Sequence, residues 1–336
     1  MAAAAEEQIR NCRTGIARLL NAESPDRIVL TVNGTDGIHL ALKGFLREGD
    51  HVVTSQTEHK AVAGILEAME RVGFISMDRA RSEPSGIVPP EEVERLLRKE
   101  TRLVAITHCS NVLGQVNPIA EYGKIVSRHG ARLFVDASQT VGVVPIDVRA
   151  MNVDLFAFAG YKNLFGPMGT GALYLREGLP MEAFHEQRVG FAVEEIPPPY
   201  RLEGGTPNAH GYAGLSAGVQ FVLENQPERI RRYVRGLALS FLEKLRGRER
   251  IRIYSGKNPD AQIGAVSVTI DGTDPAEIGA TMDRRFAIAC RPGLHCNSGT
   301  HQFLGTYPKG TVRFSFGFFN TLADADAAAA ALSEML

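Results

Sequence analysis

Short apolar runs alternate along this chain with longer segments whose apolar positions recur every three or four residues. RIVLTV, just before Asn33, reads as a strand, and IHLALKGFL, just after the Asn33-Gly34-Thr35-Asp36-Gly37 turn, reads as a helix. HVVTS then leads to KAVAGILEAMERV, FISMD to PEEVERLLRKE, and RLVAIT to IAEYGKIVSRHG. The runs RLFVD, DLFAFAG and GALYL follow. Upstream, residues 6–20 (EEQIRNCRTGIARLL) predict a helix with one interior glycine. Pro90 in a first turn and Gly130 at a helix end are the expected start and stop residues. Strands alternating with helices imply crossover connections and a largely parallel, buried sheet. Ligands of such sheets sit at the carboxyl ends of the strands.

Beyond GALYL the pattern changes. Residues 176–210 are irregular and Pro-rich, with PPP at 197–199, and predict an excursion or arm. A long helical stretch over 213–246 comes next. IRIY, AVSVTI, a helix over 275–285, AIACR, TVRFSFG and a last helix over 321–335 then predict a smaller α+β domain. The expected division is a large domain over 1–222 and a small one over 223–336.

Composition narrows the function. The chain has 336 residues, 44% hydrophobic and 22% charged, which is globular composition. A net charge of −1 lacks the basic excess of a nucleic-acid binder. No apolar run reaches the roughly 18 residues of a membrane span. MAAAAEEQIRNCR lacks the basic and apolar regions of a signal peptide. Four cysteines make no disulfide framework, so a reducing, cytoplasmic setting is expected. No Gly-x-Gly-x-x-Gly opens a helix after a strand and no P-loop is present, which disfavours NAD and ATP chemistry.

Several residues stand where chemistry is done. The NGTDG turn can offer backbone N–H groups and the Thr35 hydroxyl to a phosphate, or can be a plain capped turn. Asp136 ends RLFVD, where its carboxylate can pair with a protonated pyridine nitrogen or cap a helix. Gln139 is within reach of the same ligand. Lys162, between Phe158 and Phe165 in a glycine-rich stretch, is placed where burial lowers an amine's pKa and makes it a nucleophile for carbonyls. His59 can stack on a flat cofactor or move a proton. Cys290, Arg291, His295, Cys296 and His301 lie close together, in no standard zinc spacing. A cation beside Cys296, either Arg291 or a protonated His295, favours a reactive sulfur. Arg313 sits among apolar neighbours and needs a carboxylate from the protein or from a substrate.

GTDGIHLAL, TEHKAV, HCSNVLGQVNPI, LFVDASQTVG, YKNLFGPMGTGALYL, EGGTPN, RPGLHC and VRFSFGFFNT, in this order, resemble the class V aminotransferase family of fold-type I pyridoxal-phosphate (PLP) enzymes. Within it the chain is similar to the cysteine desulfurases and selenocysteine-lyase-like members. The resemblance implies an α/β fold: a mostly parallel seven-stranded sheet sandwiched by helices, plus a small C-terminal α+β domain carrying the Cys296 loop. It implies that Lys162 binds the aldehyde of PLP and that Asp136 pairs with its ring nitrogen. His59 would stack on the ring, Gln139 would bond the phenolic oxygen, and Asn111 would lie close to cofactor and substrate. Gly34 and Thr35 would hold the phosphate, with Thr206 from a neighbouring subunit. Arg313, with Arg291 nearby, would clamp the substrate carboxylate, and Cys296 would take the sulfur as a persulfide.

The implied substrate is cysteine or selenocysteine. The implied partners are a second copy of the chain and a sulfur-acceptor protein, in sulfur metabolism and iron–sulfur cluster assembly, without nucleic acid or membrane. The same motifs leave open a C–S or C–Se lyase, an epimerase, an aminotransferase, or a catalytically degenerate scaffold. Three departures stand out. Ala159 and Tyr161 replace the hydroxyl residue and histidine that the family carries before its lysine, and the Tyr161 phenol is expected to substitute. An opening stretch with an Asn-Ala-Ala-Thr-like signature is absent, so the N-terminal segment is expected to be truncated relative to the family. The loop after Cys296 reads NSGTHQFLG, departing from a more apolar version.

Overall fold

The computed structural model describes residues 2–182 and 198–336. Seven strands form one sheet: β1 (Ile28–Thr31), β2 (Asp50–Ser55), β3 (Ile75–Ala80), β4 (Thr101–Thr107), β5 (Arg132–Asp136), β6 (Leu155–Ala159) and β7 (Gly171–Leu175). Their order is β1-β7-β6-β5-β4-β2-β3. The run from β3 to β6 is parallel throughout, and β7 runs against both of its neighbours. This is the largely parallel sheet that the alternation predicted, with the seven strands that the family resemblance implied.

Alternate residues of the same strands feed two apolar layers. Val104, Leu133, Phe156 and Tyr174 face one side, and Leu103, Phe134, Leu155 and Leu173 face the other. A strand buried on both faces reads as a continuous apolar run, which is why RLFVD and LFAFA show no period of two. On the first side pack α1 (Ala2–Leu20), α4 (Pro90–Leu96), α5 (Ile119–His129) and α6 (Ala209–Asn225). On the second pack α2 (Gly34–Phe45) and α3 (Lys60–Arg71). Among the described residues no helix is long and apolar enough to cross a membrane.

A second, antiparallel sheet is formed by β8 (Ile251–Ile253), β9 (Ala265–Ile270), β10 (Arg291–Gly293) and β11 (Thr311–Ser315), in the order β10-β11-β9-β8. Helices α7 (Pro227–Leu245), α8 (Pro275–Phe286) and α10 (Leu322–Ser333) cover it around a separate apolar cluster. The alanine run of α10 is a packing surface, since Ala325, Ala328, Ala329 and Ala331 are all buried there. The short α9 (Ser298–Phe303) follows β10.

Three local expectations change. The helical stretch over 213–246 is two helices, because Gln226 adopts φ 63° and Pro227 opens α7. The NGTDG segment is the start of α2 and not a turn before it: the Asn33 side chain accepts the Asp36 N–H and caps the helix. AIACR is not a strand along its length. Ala287 ends α8 in the left-handed conformation, and pairing begins only at Arg291. The Pro-rich excursion lies largely in 183–197, outside the described residues.

The two sheets meet along a hydrogen-bonded seam. Gln262, fully buried, donates to the carbonyls of Ile263 and Ala265 and accepts from Gln115 Nε2 (2.5 Å) and the Gly256 N–H (2.8 Å). The Ser267 hydroxyl donates to the Val112 carbonyl at 2.6 Å. An isosteric Gln262→Leu change strands these buried partners, each costing on the order of 1–3 kcal/mol. The expected outcome is a denaturant midpoint lowered by about 2–4 kcal/mol of stability, with an unchanged slope, in urea titration.

Candidate active site

Five strands that run in the same direction each deliver a site residue as they end. After β1 the chain turns into Gly34 and Thr35 at the start of α2, and after β2 into His59. After β4 it reaches Asn111, β5 ends on Asp136, and the loop after β6 carries Lys162. These groups line one cavity of about 320 Å³ together with Gln139, Tyr161, Arg291 of β10, Arg313 of β11 and Cys296 in the loop after β10. Most of the residues singled out in the sequence therefore converge, but Cys290, His301 and Thr206 do not line this cavity. Thr206 is exposed and lines a separate cavity beside α2 with His39 and Tyr212.

The Lys162 loop is closed on itself and tied to its neighbour. The Phe165 N–H bonds the Lys162 carbonyl and the Gly166 N–H bonds the Gly160 carbonyl, both at 3.0 Å. Gly218 of α6 backs the loop so closely that a Cβ there would come within 2.0 Å of the Leu164 carbonyl oxygen. Asn163 donates to the Gln139 carbonyl at 2.7 Å, joining the Lys162 loop to the turn after Asp136. Burial pushes the Lys162 amine below the 10.5 of free lysine; Asp136 pulls it up, and Arg313 and Arg291 push it down again.

His59 caps α3, its Nδ1 accepting the Ala61 N–H at 3.1 Å. That bond needs an unprotonated Nδ1, so the ring is neutral with its proton on Nε2. Burial also lowers its pKa, against the pull of Asp136. Asp136 itself is buried, and its Oδ1 accepts the Ser138 N–H at 3.0 Å.

The Cys296 loop is pinned in an uncommon backbone shape. His295 and Cys296 both have left-handed φ values, 52° and 60°, which cost on the order of 1 kcal/mol or more each for residues with side chains. Hydrogen bonds from the large sheet offset that cost. Asn111 Nδ2 donates to the His295 carbonyl at 2.7 Å, and the Lys60 N–H donates to the Cys296 carbonyl at 2.9 Å. Asn297 Nδ2 reaches the Thr57 carbonyl (2.9 Å) and Asn111 Oδ1 (3.0 Å). The Arg291 Nη2 lies 3.4 Å from Cys296 Sγ.

The expectation of a protonated His295 beside the thiol is overturned. The ring is buried, its pKa is pushed down to about 3 by desolvation and then by Arg313, and Nε2 is engaged with the Thr311 hydroxyl at 3.0 Å. The cation next to Cys296 is Arg291. Cys290 packs at the edge of the second apolar cluster, outside the cavity.

Arg291 and Arg313 face each other directly across β10 and β11. Arg313 donates to the Asn111 carbonyl at 2.9 Å, while its Nε is buried without a partner. Desolvation and the neighbouring Arg291 pull its pKa down to about 10. Like charges directly opposite are unfavourable, so this pair is poised for an anion. Three residues escaped the sequence reading. Asn163 and Asn297 are ordinary amides until the fold shows what they bridge. Glu58, beside His59 in TEHKAV, is completely buried, which no local pattern signals.

The family described as Aminotransferase class-V matches residues 1–328. The chain belongs to the class V aminotransferase family. It is an enzyme of that family. It is 30% identical to a cysteine desulfurase of Escherichia coli O157:H7 over 97% of this chain and 82% of the relative. It is 31% identical to a probable cysteine desulfurase of Halalkalibacterium halodurans, over 98% and 82% respectively. Among solved structures, the apo cysteine desulfurase of Thermococcus onnurineus NA1 superposes with a TM-score of 0.91 at 29% identity, covering 99% of this chain and 84% of that one. A cysteine desulfurase of Escherichia coli superposes at 0.89 with 25% identity, over 99% and 84%.

Glu58 gives this site a pH signature. Its Oε1 accepts from the Ser55 hydroxyl (2.5 Å) and the Thr107 N–H (2.9 Å), and its Oε2 has no partner. Burial raises its pKa from the ordinary 4.5 to about 8. The folded protein thus keeps a proton that the unfolded chain releases, and stability falls as pH rises from about 4.5 through about 8. Glu58→Gln should flatten that slope, by at most about 4 kcal/mol between about pH 5 and about pH 8. Urea unfolding at a series of pH values checks it; parallel curves for the two proteins would contradict the assignment.

Proposed function

We propose that this protein is a PLP-dependent cysteine desulfurase that converts L-cysteine to L-alanine and keeps the sulfur as a persulfide on Cys296. The observation that carries the reading is the meeting of Lys162, Asp136, Cys296 and Arg313 around one cavity. The residues present fit the cofactor. A desolvated amine and a buried carboxylate stand on neighbouring, mutually bonded loops. Gly34, at the start of α2, leaves a cradle where a Cβ would lie 3.0 Å from Ser138 Oγ and 3.1 Å from the Ala159 nitrogen. In this reading residues 1–222 hold the cofactor and residues 223–336 bring the nucleophile and the arginines to it.

When bound, PLP supplies an electron sink for the pair left on the substrate's Cα, provided its ring nitrogen stays protonated. Lys162 would hold its aldehyde, Asp136 its ring nitrogen, His59 its ring face, and Gln139 its phenolic oxygen. Gly34 and Thr35, at the positive end of α2, would hold its phosphate. Asn111 and Tyr161 border the same space. Arg313, with Arg291 opposite, binds the substrate carboxylate. The Lys162 amine would carry the substrate's Cα proton. Cys296 Sγ, beside Arg291, bonds to the substrate sulfur as the Cβ–S bond breaks. A proton replaces sulfur on Cβ, so cysteine plus thiol gives alanine plus persulfide, with no external oxidant or reductant.

Homodimer formation, a cytoplasmic setting and a sulfur-acceptor protein belong to the same reading. The exposure of Thr206, on a surface away from its own Lys162, favours its delivery to the site of a second subunit. Light scattering should return the mass of a dimer, and Thr206→Val should weaken PLP retention. A fully active monomer would refute this part.

Cys296→Ala is the central test. Alanine and sulfide release from cysteine should fall by a factor of at least about 100, while the visible absorbance of the bound cofactor persists. Pyruvate as the product would instead mark a β-lyase, and an oxo acid a transaminase. Lys162→Ala should abolish the visible band itself.

A further inference from the structure

The end of β6 carries Ala159, which has no hydroxyl, but a hydroxyl stands nearby in the turn after β5. Ser138 stands in the turn after β5, two residues beyond Asp136, and its backbone N–H is fixed by the Asp136 carboxylate at 3.0 Å. Its side chain is half-buried, lines the active-site cavity, and has no hydrogen-bond partner among the described residues. Its Oγ and the Ala159 nitrogen flank one point above Gly34, at 3.0 and 3.1 Å from where a Cβ would stand. That point adjoins the first turn of α2, whose free N–H groups and dipole favour an anion. Tyr161, by contrast, is 43% exposed.

We propose that Ser138 supplies the phosphate-binding hydroxyl that Ala159 lacks, so that the Asp136–Gln139 turn holds the cofactor at its ring nitrogen, its phosphate and its phenolic oxygen together. This inference rests on the PLP reading above. Among the described residues the Ser138 hydroxyl has no partner, so its removal should leave folding intact and weaken only what binds against it. Loss of one hydrogen bond to a charged group corresponds to about 10- to 100-fold in affinity.

The test is equilibrium titration of the cofactor-free protein, read by visible absorbance, with PLP and with pyridoxal, which has the aldehyde and ring but no phosphate. Ser138→Ala should raise the Kd for PLP about 10- to 100-fold, leave that for pyridoxal unchanged, and leave the urea midpoint unchanged. Returning the hydroxyl to its other position, in Ser138→Ala with Ala159→Ser, should restore tight PLP binding. An unchanged PLP Kd, an equal loss for PLP and pyridoxal, or a loss found in Tyr161→Phe but not in Ser138→Ala would overturn the proposal. If the unaltered protein takes up no PLP that borohydride can fix to Lys162, the cofactor reading falls and this proposal with it.

Discussion

A primary amine taken out of water beside a carboxylate is pulled in two directions, and the arrangement of this molecule follows from that tension. Burial drives Lys162 toward its neutral, nucleophilic form, and Asp136 draws it back toward the ammonium. Neither effect survives if the loop moves away or if water enters. The loop is accordingly held by its own backbone bonds, by Asn163 reaching the Gln139 carbonyl, and by the close approach of α6 at Gly218. The parallel sheet makes this possible, because neighbouring strands running the same way release their loops at the same edge.

Around that centre the charge balance is cationic. Lys162, Arg291 and Arg313 share the cavity with Asp136, while His59 and His295 are kept neutral by burial. Two arginines in cross-strand register would repel each other without an anion between or beside them. The second sheet thus contributes a cationic face to the cavity, and the seam through Gln262, Gln115 and Ser267 sets where that face sits. The strained backbone at His295 and Cys296 depends on the same contact between the sheets, since Asn111 and Lys60 donate to its carbonyls.

Much of this was legible in the chain. Apolar runs without alternation marked strands buried on both faces, and a polar residue at or beyond the end of each marked the candidate site: Asp136 at the end of RLFVD, Lys162 after LFAFAG, His59 after HVVTS. Where reading failed, the competing force was short-range. Asn33 captured the Asp36 N–H and turned an expected turn into the start of a helix. Gln226 and Pro227 broke one helical pattern into two, and the left-handed Ala287 delayed a strand until Arg291. Periodicity counts apolar positions and is blind to a single backbone angle.

By itself, then, the sequence determined the layers, the strand edge at which polar groups gather, and the residue types available there, because burial patterns and turn residues act locally. Only the tertiary structure decided which cation neighbours Cys296, that His295 is neutral, that Glu58 holds a proton, and that the Ser138 hydroxyl occupies the space beside Ala159. Those are matters of desolvation and through-space distance between groups far apart in the chain. Neither quantity is written in the order of the residues.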